Sequence, residues 1–216
     1  MATIRLVPSA YSVSSSSVSV SNASNMYNNT DHTSSYATLT HSNKSTSTYY
    51  VYINGFNFGS LPSGAVVSSF EVKIKGYESN MSTSSSYAPR LVNGTSSISG
   101  TTASSNFSTS TNTITIPTGS LSWSTISDYG NDFGVSVLLR RSSKNTQGYV
   151  YVYGVEILVT YTIPISHTIT SSTDAGTINP SGTVTVNEGD SYSLSISGVR
   201  SPRVTDNGVD VTSQLT

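Results

Sequence analysis

The stretch from Gly148 to Ile163, GYVYVYGVEILVTYTI, constrains this chain more than any other. Every second residue is apolar or aromatic: Tyr149, Tyr151, Tyr153, Val155, Ile157, Val159, Tyr161 and Ile163. Between them lie Val152 and Leu158, but also Gly154 and Glu156. β-Branched and aromatic residues at a period of two specify a β-strand. That period puts the tyrosine stripe on one buried face, as part of the core. A lone strand cannot bury such a face, so the rest of the chain must supply an opposing layer. Pro164 has no N–H to donate to a ladder and ends the strand. The stretch reads as the central, last strand of a first domain spanning residues 1–163.

The chain upstream supplies the other strands. Thr3 to Val7 is a short one, and Val18 with Val20 marks another beyond a serine run. Tyr36 to Thr40 and Tyr49 to Phe56 follow. Val66 to Gly76 is the clearest amphipathic strand, with Val66, Phe70, Val72 and Ile74 inward and Glu71, Lys73 and Lys75 in water. Leu61-Pro62-Ser63-Gly64 and Asn93-Gly94 are turns. Short strands are expected at Ala88 to Val92, around Ile98 and Phe107, and at Thr113 to Ile116. Leu121 to Tyr129 carries the one helical pattern, with Ser124 as its cap and Gly130 as its terminator. Trp123 would plug the core from that helix, with stacking on a sugar ring as the alternative. Phe133 to Arg140 faces Phe133, Val135, Val137 and Leu139 inward, and the loop Arg141 to Gln147 joins it to the last strand as a hairpin. Short, evenly spaced strands with almost no helix specify an all-β fold: an antiparallel β-sandwich, jelly-roll-like. Residues 164–216 read as a small immunoglobulin-like β module, short for a complete one, either minimal or continuing in a longer natural chain.

Composition narrows the function classes. The 216 residues are 35% hydrophobic and only 10% charged, with net charge −1 and no cysteine. A neutral chain lacks the basic face that nucleic acid requires. The absence of cysteine excludes disulfides, thiolate metal sites and a cysteine nucleophile. The start, MATIRLVPSAYSVSSSS, has no basic and apolar leader pattern, and no stretch reads as a membrane insertion. The composition suits an extracellular particle assembled inside the cell and released by lysis, or a mature fragment whose leader has been removed.

The chemistry-bearing residues form no catalytic constellation, and no cofactor or metal is expected. Asp128 and Asp132 flank a turn, and their plain reading is a helix end. His32, His41 and His167 are scattered without ligand spacing. Asp206-Asn207-Gly208 with Asp210 lacks the ligand alternation of a calcium loop and reads as a turn. Arg140, Arg141 and Lys144 lie in or beside one loop, either simply solvated or contacting a neighbouring subunit or an anionic glycan. Tyr27, Tyr87 and Tyr129 are the tyrosines placed to make an adaptable contact surface or to stack on sugar rings.

Three segments carry a resemblance. ATIRLVPSAYSVSSSSVSVSNASNMYNNTD, SYATLTHSNKSTSTYYVYINGFNF with LPSGAVVSSFEVKIKGYES, and FGVSVLLRRSSKNTQGYVYVYGVEILVTYT resemble virion structural proteins of tailed phages and prophages of Gram-positive bacteria. The resemblance covers Ala2 to Ile163 and rests on overall pattern. AGTINPSGTVTVNEGDSYSLSISG is similar to bacterial immunoglobulin-like repeats. The resemblance implies a non-enzymatic role on the virion surface, as a capsid decoration, head fibre or tail appendage. The implied partners are other copies of the chain (a homo-oligomer) and other capsid or tail proteins. A carbohydrate-binding adhesion module that recognises host surface glycans is the alternative.

Overall fold

The computed structural model describes residues 1–42, 45–82, 87–173 and 175–198, and the backbone of residues 205–206 and 209–210. It is all-β, with one short helix among the described residues. The chain divides into two compact units, Met1–Ile163 and Pro164–Thr216.

The first unit contains β1 (Ala2–Leu6), β2 (Ala10–Val13), β3 (Val18–Ser21), β4 (Ala37–His41), β5 (Tyr49–Asn54), β6 (Val66–Ser79), β7 (Arg90–Asn93), β8 (Ser96–Thr102), β9 (Asn112–Ile116), α1 (Trp123–Tyr129), β10 (Phe133–Leu139) and β11 (Gly148–Thr162). They form two antiparallel sheets. The first runs β3-β4-β11-β6-β9, and β1 joins β11 on the side of β4, further along the strand. The second runs β2-β5-β10-β7-β8. Strands β4 to β11 therefore pair outermost with outermost: β4 with β11, β5 with β10, β6 with β9 and β7 with β8. That is the pairing of one long antiparallel hairpin wrapped on itself. One apolar core takes side chains from both sheets, among them Leu39, Val72, Ile74, Val152 and Ile157 from the first and Val51, Ile53, Leu91, Val135 and Leu139 from the second.

Strands β10 and β11 are not a hairpin. β10 pairs with β5 and β7, and the connection after Leu139 crosses to the other sheet. Both strands send apolar side chains into the same core, one from each sheet.

The phase of β11 changes part-way along it. Val150 and Val152 point into the core, then Val155, Ile157 and Val159 do. The register against β6 slips between Val152 and Gly154, so Tyr153 is the extra residue of a β-bulge. Because side chains alternate strictly, one inserted residue exchanges the two faces. Tyr149, Tyr151 and Tyr153 therefore lie on the outer face and not in the core. A second slip, between Thr160 and Tyr161, has the same effect on the start of β6. Val66 is 55% exposed where an inward side chain was expected, and Val67 packs on the core instead.

Helix α1 ends at Gly130, whose φ is 55°, in the left-handed region that glycine adopts without strain. Its cap is Ser122, not Ser124: the Ser122 hydroxyl accepts the Thr125 N–H at 3.1 Å. Ser122→Ala is expected to cost about 1 kcal/mol in chemical unfolding followed by Trp123 fluorescence, and Ser124→Ala distinctly less. Trp123 sits at the rim of the core, half-buried, edge-on to Phe58 and Phe70.

The second unit is built of short ladders: β12 (Ser166–Ser171) with β14 (Gly182–Asn187), β13 (Thr177–Asn179) with β15 (Ser195–Ser197), and β16 (Thr205–Asp206) with β17 (Val209–Asp210). Ile169, Ile178, Val184, Val186 and Ile196 are half-buried, and Ile165 is exposed. The expected Asp206 to Asp210 turn includes residues 207 and 208, which lie outside the described residues.

Candidate functional site

The bulge creates a tyrosine face. Tyr149, Tyr151 and Tyr153 run in a row along the outer side of β11, Tyr77 stands opposite Tyr151 on β6, and Tyr36 closes the group from the start of β4. Tyr77 and Tyr151 are stacked, their centroids 4.3 Å apart and 15° from parallel. Tyr36 meets Tyr77, Tyr151 and Tyr153 edge-on at 5.9, 5.0 and 5.5 Å. Such contacts hold each ring in place. The result is a rigid aromatic surface that is partly open to solvent. Thr38 and Thr40 flank it on β4, and Lys75 and Ser79 on β6.

Crowding shapes the chemistry of the phenols. Tyr77 is pushed up to about 12, chiefly by desolvation, then by the Tyr36 hydroxyl beside it and the neighbouring Tyr151 and Tyr153. Tyr151 is raised as well, first by desolvation and then by Tyr36 and Tyr149. The folded state thus holds the Tyr77 proton more tightly than the unfolded chain, where the group titrates near 10.0. Its stabilising contribution is complete below that value and is lost as pH rises from there through about 12. Tyrosinate absorbance should show a late ionising step that Tyr77→Phe removes, and unfolding free energy should fall across the same alkaline window.

One end of the face is set by a buried charge cluster. Glu156 is 2% exposed on the outer side of β11. Its Oε1 accepts the Thr30 hydroxyl at 2.7 Å, and its Oε2 lies 3.4 Å from the Arg5 guanidinium of β1. Arg5 also pairs with Asp31. Thr30 and Asp31 belong to the loop after the 3₁₀ turn Ala23–Tyr27, and that loop lies directly on β11, where Asn28 O accepts the Val155 N–H at 3.0 Å. Glycine is required at 154: a Cβ there would stand 2.5 and 2.4 Å from the Asn28 and Asn29 carbonyl oxygens.

The expected contact residues do not come together as one surface. Arg141 is 4% exposed, and its guanidinium donates to the Thr146 and Lys144 carbonyls. It folds its own loop and is not available to a partner. Its planar fork of donors suits a buried position because it satisfies several carbonyls at once. Lys144 is exposed, and Arg140 lies over the Tyr87 ring, 5.2 Å from its centroid. Tyr27 and Tyr129 pack partly on the core. Asp128 and Asp132 are both exposed. His41 is fully buried, with its Nε2 at 3.0 Å from Ser47 O. Among the described residues no group of His, Asp or Glu is arranged to hold a metal ion, and no helix is long and apolar enough to cross a membrane.

No protein-family model, curated protein or solved structure matches this chain. The site must therefore be read from its own geometry. A second feature is a shallow open groove of about 310 Å³ beside α1, lined by Val67, Phe70, Leu121 and Trp123 with Ser69 and Thr118. Sequence reasoning assigned the β11 tyrosines to the core and passed over Tyr36 and Tyr77. The signal was present in Gly154, a glycine inside a strand, which marks a bulge or a close backbone approach. Here it marks both.

Proposed function

We propose that this chain is a non-enzymatic structural protein of a phage virion surface, acting through assembly with further copies of itself and with other capsid or tail proteins. The observation that carries this reading is strand β2. It forms one edge of the second sheet, pairs among the described residues only with β5, and all four of its residues are exposed. Tyr11 and Val13 are each 38% exposed, and no charged residue lies in the strand. An open, uncharged edge with apolar side chains is a template for a strand from another chain, and soluble monomers normally block such edges with charge or proline. The strand order supports the same reading. We take β4-β11-β6-β9 facing β5-β10-β7-β8 as that of a jelly roll, an architecture used by viral capsid and lectin domains. Fold alone does not assign function, so the edge must be tested. Light scattering of the purified chain should give an oligomer, and Val13→Lys should shift it to monomer with unchanged far-UV circular dichroism. A wild-type monomer, or an oligomer indifferent to the lysine, would remove the support.

A carbohydrate-binding role is the second reading, favoured by the tyrosine face on the opposite sheet.

A further inference from the structure

We propose that the tyrosine face binds an acidic polysaccharide, a chain bearing one carboxylate per sugar, with Lys75 as its cationic contact. This extends the second reading above and is independent of assembly through β2.

The charge balance around the face selects the ligand class. Along the outer side of the sheet the carboxylates are each held by a cation: Glu156 and Asp31 by Arg5, and Glu71 by Lys73 at 2.9 Å. Lys75 stands beside Tyr77 on the same side of β6 and has no ion pair among the described residues. A single ammonium among hydroxyls suits one carboxylate at a time. Phosphate groups are typically met by forked guanidinium donors, and the guanidinium on this side of the sheet, that of Arg5, is already paired with Asp31 and Glu156.

The shape selects an extended chain. Tyr149, Tyr151 and Tyr153 form a track along β11, with the Thr38, Thr40 and Ser79 hydroxyls beside it. The phenol hydroxyls both donate and accept hydrogen bonds, as sugar hydroxyls do. An acidic peptide fits less well. A peptide that adds to a sheet takes its affinity from backbone pairing at an open edge. Here β11 is paired on both sides, by β4 and β6, so only side chains are offered. The rings are fixed by mutual stacking before any ligand arrives, which limits the ordering cost of binding.

Titration calorimetry of the full chain against polygalacturonate tests this, with dextran and poly-glutamate as the neutral and peptide comparisons. The expected result is binding to polygalacturonate alone. It should weaken about tenfold in Lys75→Gln and fall further in Tyr151→Ala, and it should weaken as salt is raised. Lys75→Gln exchanges one half-buried polar side chain on the outer face for another and keeps the fold, so its result stands even if Tyr151→Ala is unstable. No binding to polygalacturonate, equal binding to dextran or poly-glutamate, or an unchanged affinity in Lys75→Gln would each overturn the proposal. None of these outcomes bears on the Val13→Lys assembly test.

Discussion

Gly154→Ala should lower the stability of the first unit by about 3 kcal/mol. The added methyl group would meet two backbone carbonyl oxygens, those of Asn28 and Asn29, at distances no Cβ tolerates. Carbonyls of a docked loop cannot rotate away as a side-chain tip would, so the loop itself must lift. Lifting it breaks the Val155 N–H to Asn28 O hydrogen bond and draws Thr30 and Asp31 away from the Glu156–Arg5 pair. Three losses then follow from one methyl group. The comparison is Gly59→Ala, where the nearest atom is the Asn57 side-chain oxygen at 3.4 Å and the backbone is not left-handed. That variant should stay within about 0.5 kcal/mol of the parent. Urea unfolding followed by the fluorescence of Trp123, the single tryptophan, reads the first unit directly. A loss under about 1 kcal/mol in Gly154→Ala would mean that the loop is not held against β11 as described.

Removing Arg5 should be nearly as costly, and the cost should depend on Glu156. Arg5→Met leaves a carboxylate that is 2% exposed with the Thr30 hydroxyl and without a cation. Stranding a buried charge typically costs 3–5 kcal/mol. The Arg5 side chain is itself 38% exposed, so water already screens part of the pair, and about 2 kcal/mol is the expected loss. The double variant Arg5→Met, Glu156→Gln should recover most of it. Glutamine keeps an oxygen for Thr30 and carries no charge. The coupling between the two substitutions should therefore be on the order of 1–2 kcal/mol in a double-mutant cycle. Additive losses would show instead that Arg5 contributes through packing or through Asp31 alone.

Both experiments act on the same construction. Beyond the bulge β1 pairs along the edge of β11 and the loop holds Glu156 on its outer side, while the tyrosines occupy the same side before it. The bulge therefore separates a charge-paired half of the face, with Glu156 buried in it, from a partly open aromatic half. The open half and the β2 edge are the two surfaces on which the proposed functions depend, and they lie on different sheets.

Much of this was legible from the residues alone. Alternation located β5, β6, β10 and β11 to within a few residues, because apolar periodicity is a property of each strand by itself. Asn93-Gly94 and Gly130 marked a turn and a helix end because the positive φ of Gly94 and of Gly130 is a local property. Strand β2 was not visible: AYSV buries nothing, and only its pairing with β5 makes it a strand. The hairpin expected between β10 and β11 failed because partner choice depends on which faces meet across the core. The tyrosines changed sides for the same kind of reason. Period two tells which residues share a face, but one inserted residue reverses the assignment, and only the register against β6 reveals the insertion. Composition and periodicity were enough to specify an all-β chain, poor in charge and built around one long strand. The tertiary structure alone decided which face of that strand is inside, because burial depends on the neighbouring strand and the covering loop, not on the strand's own pattern.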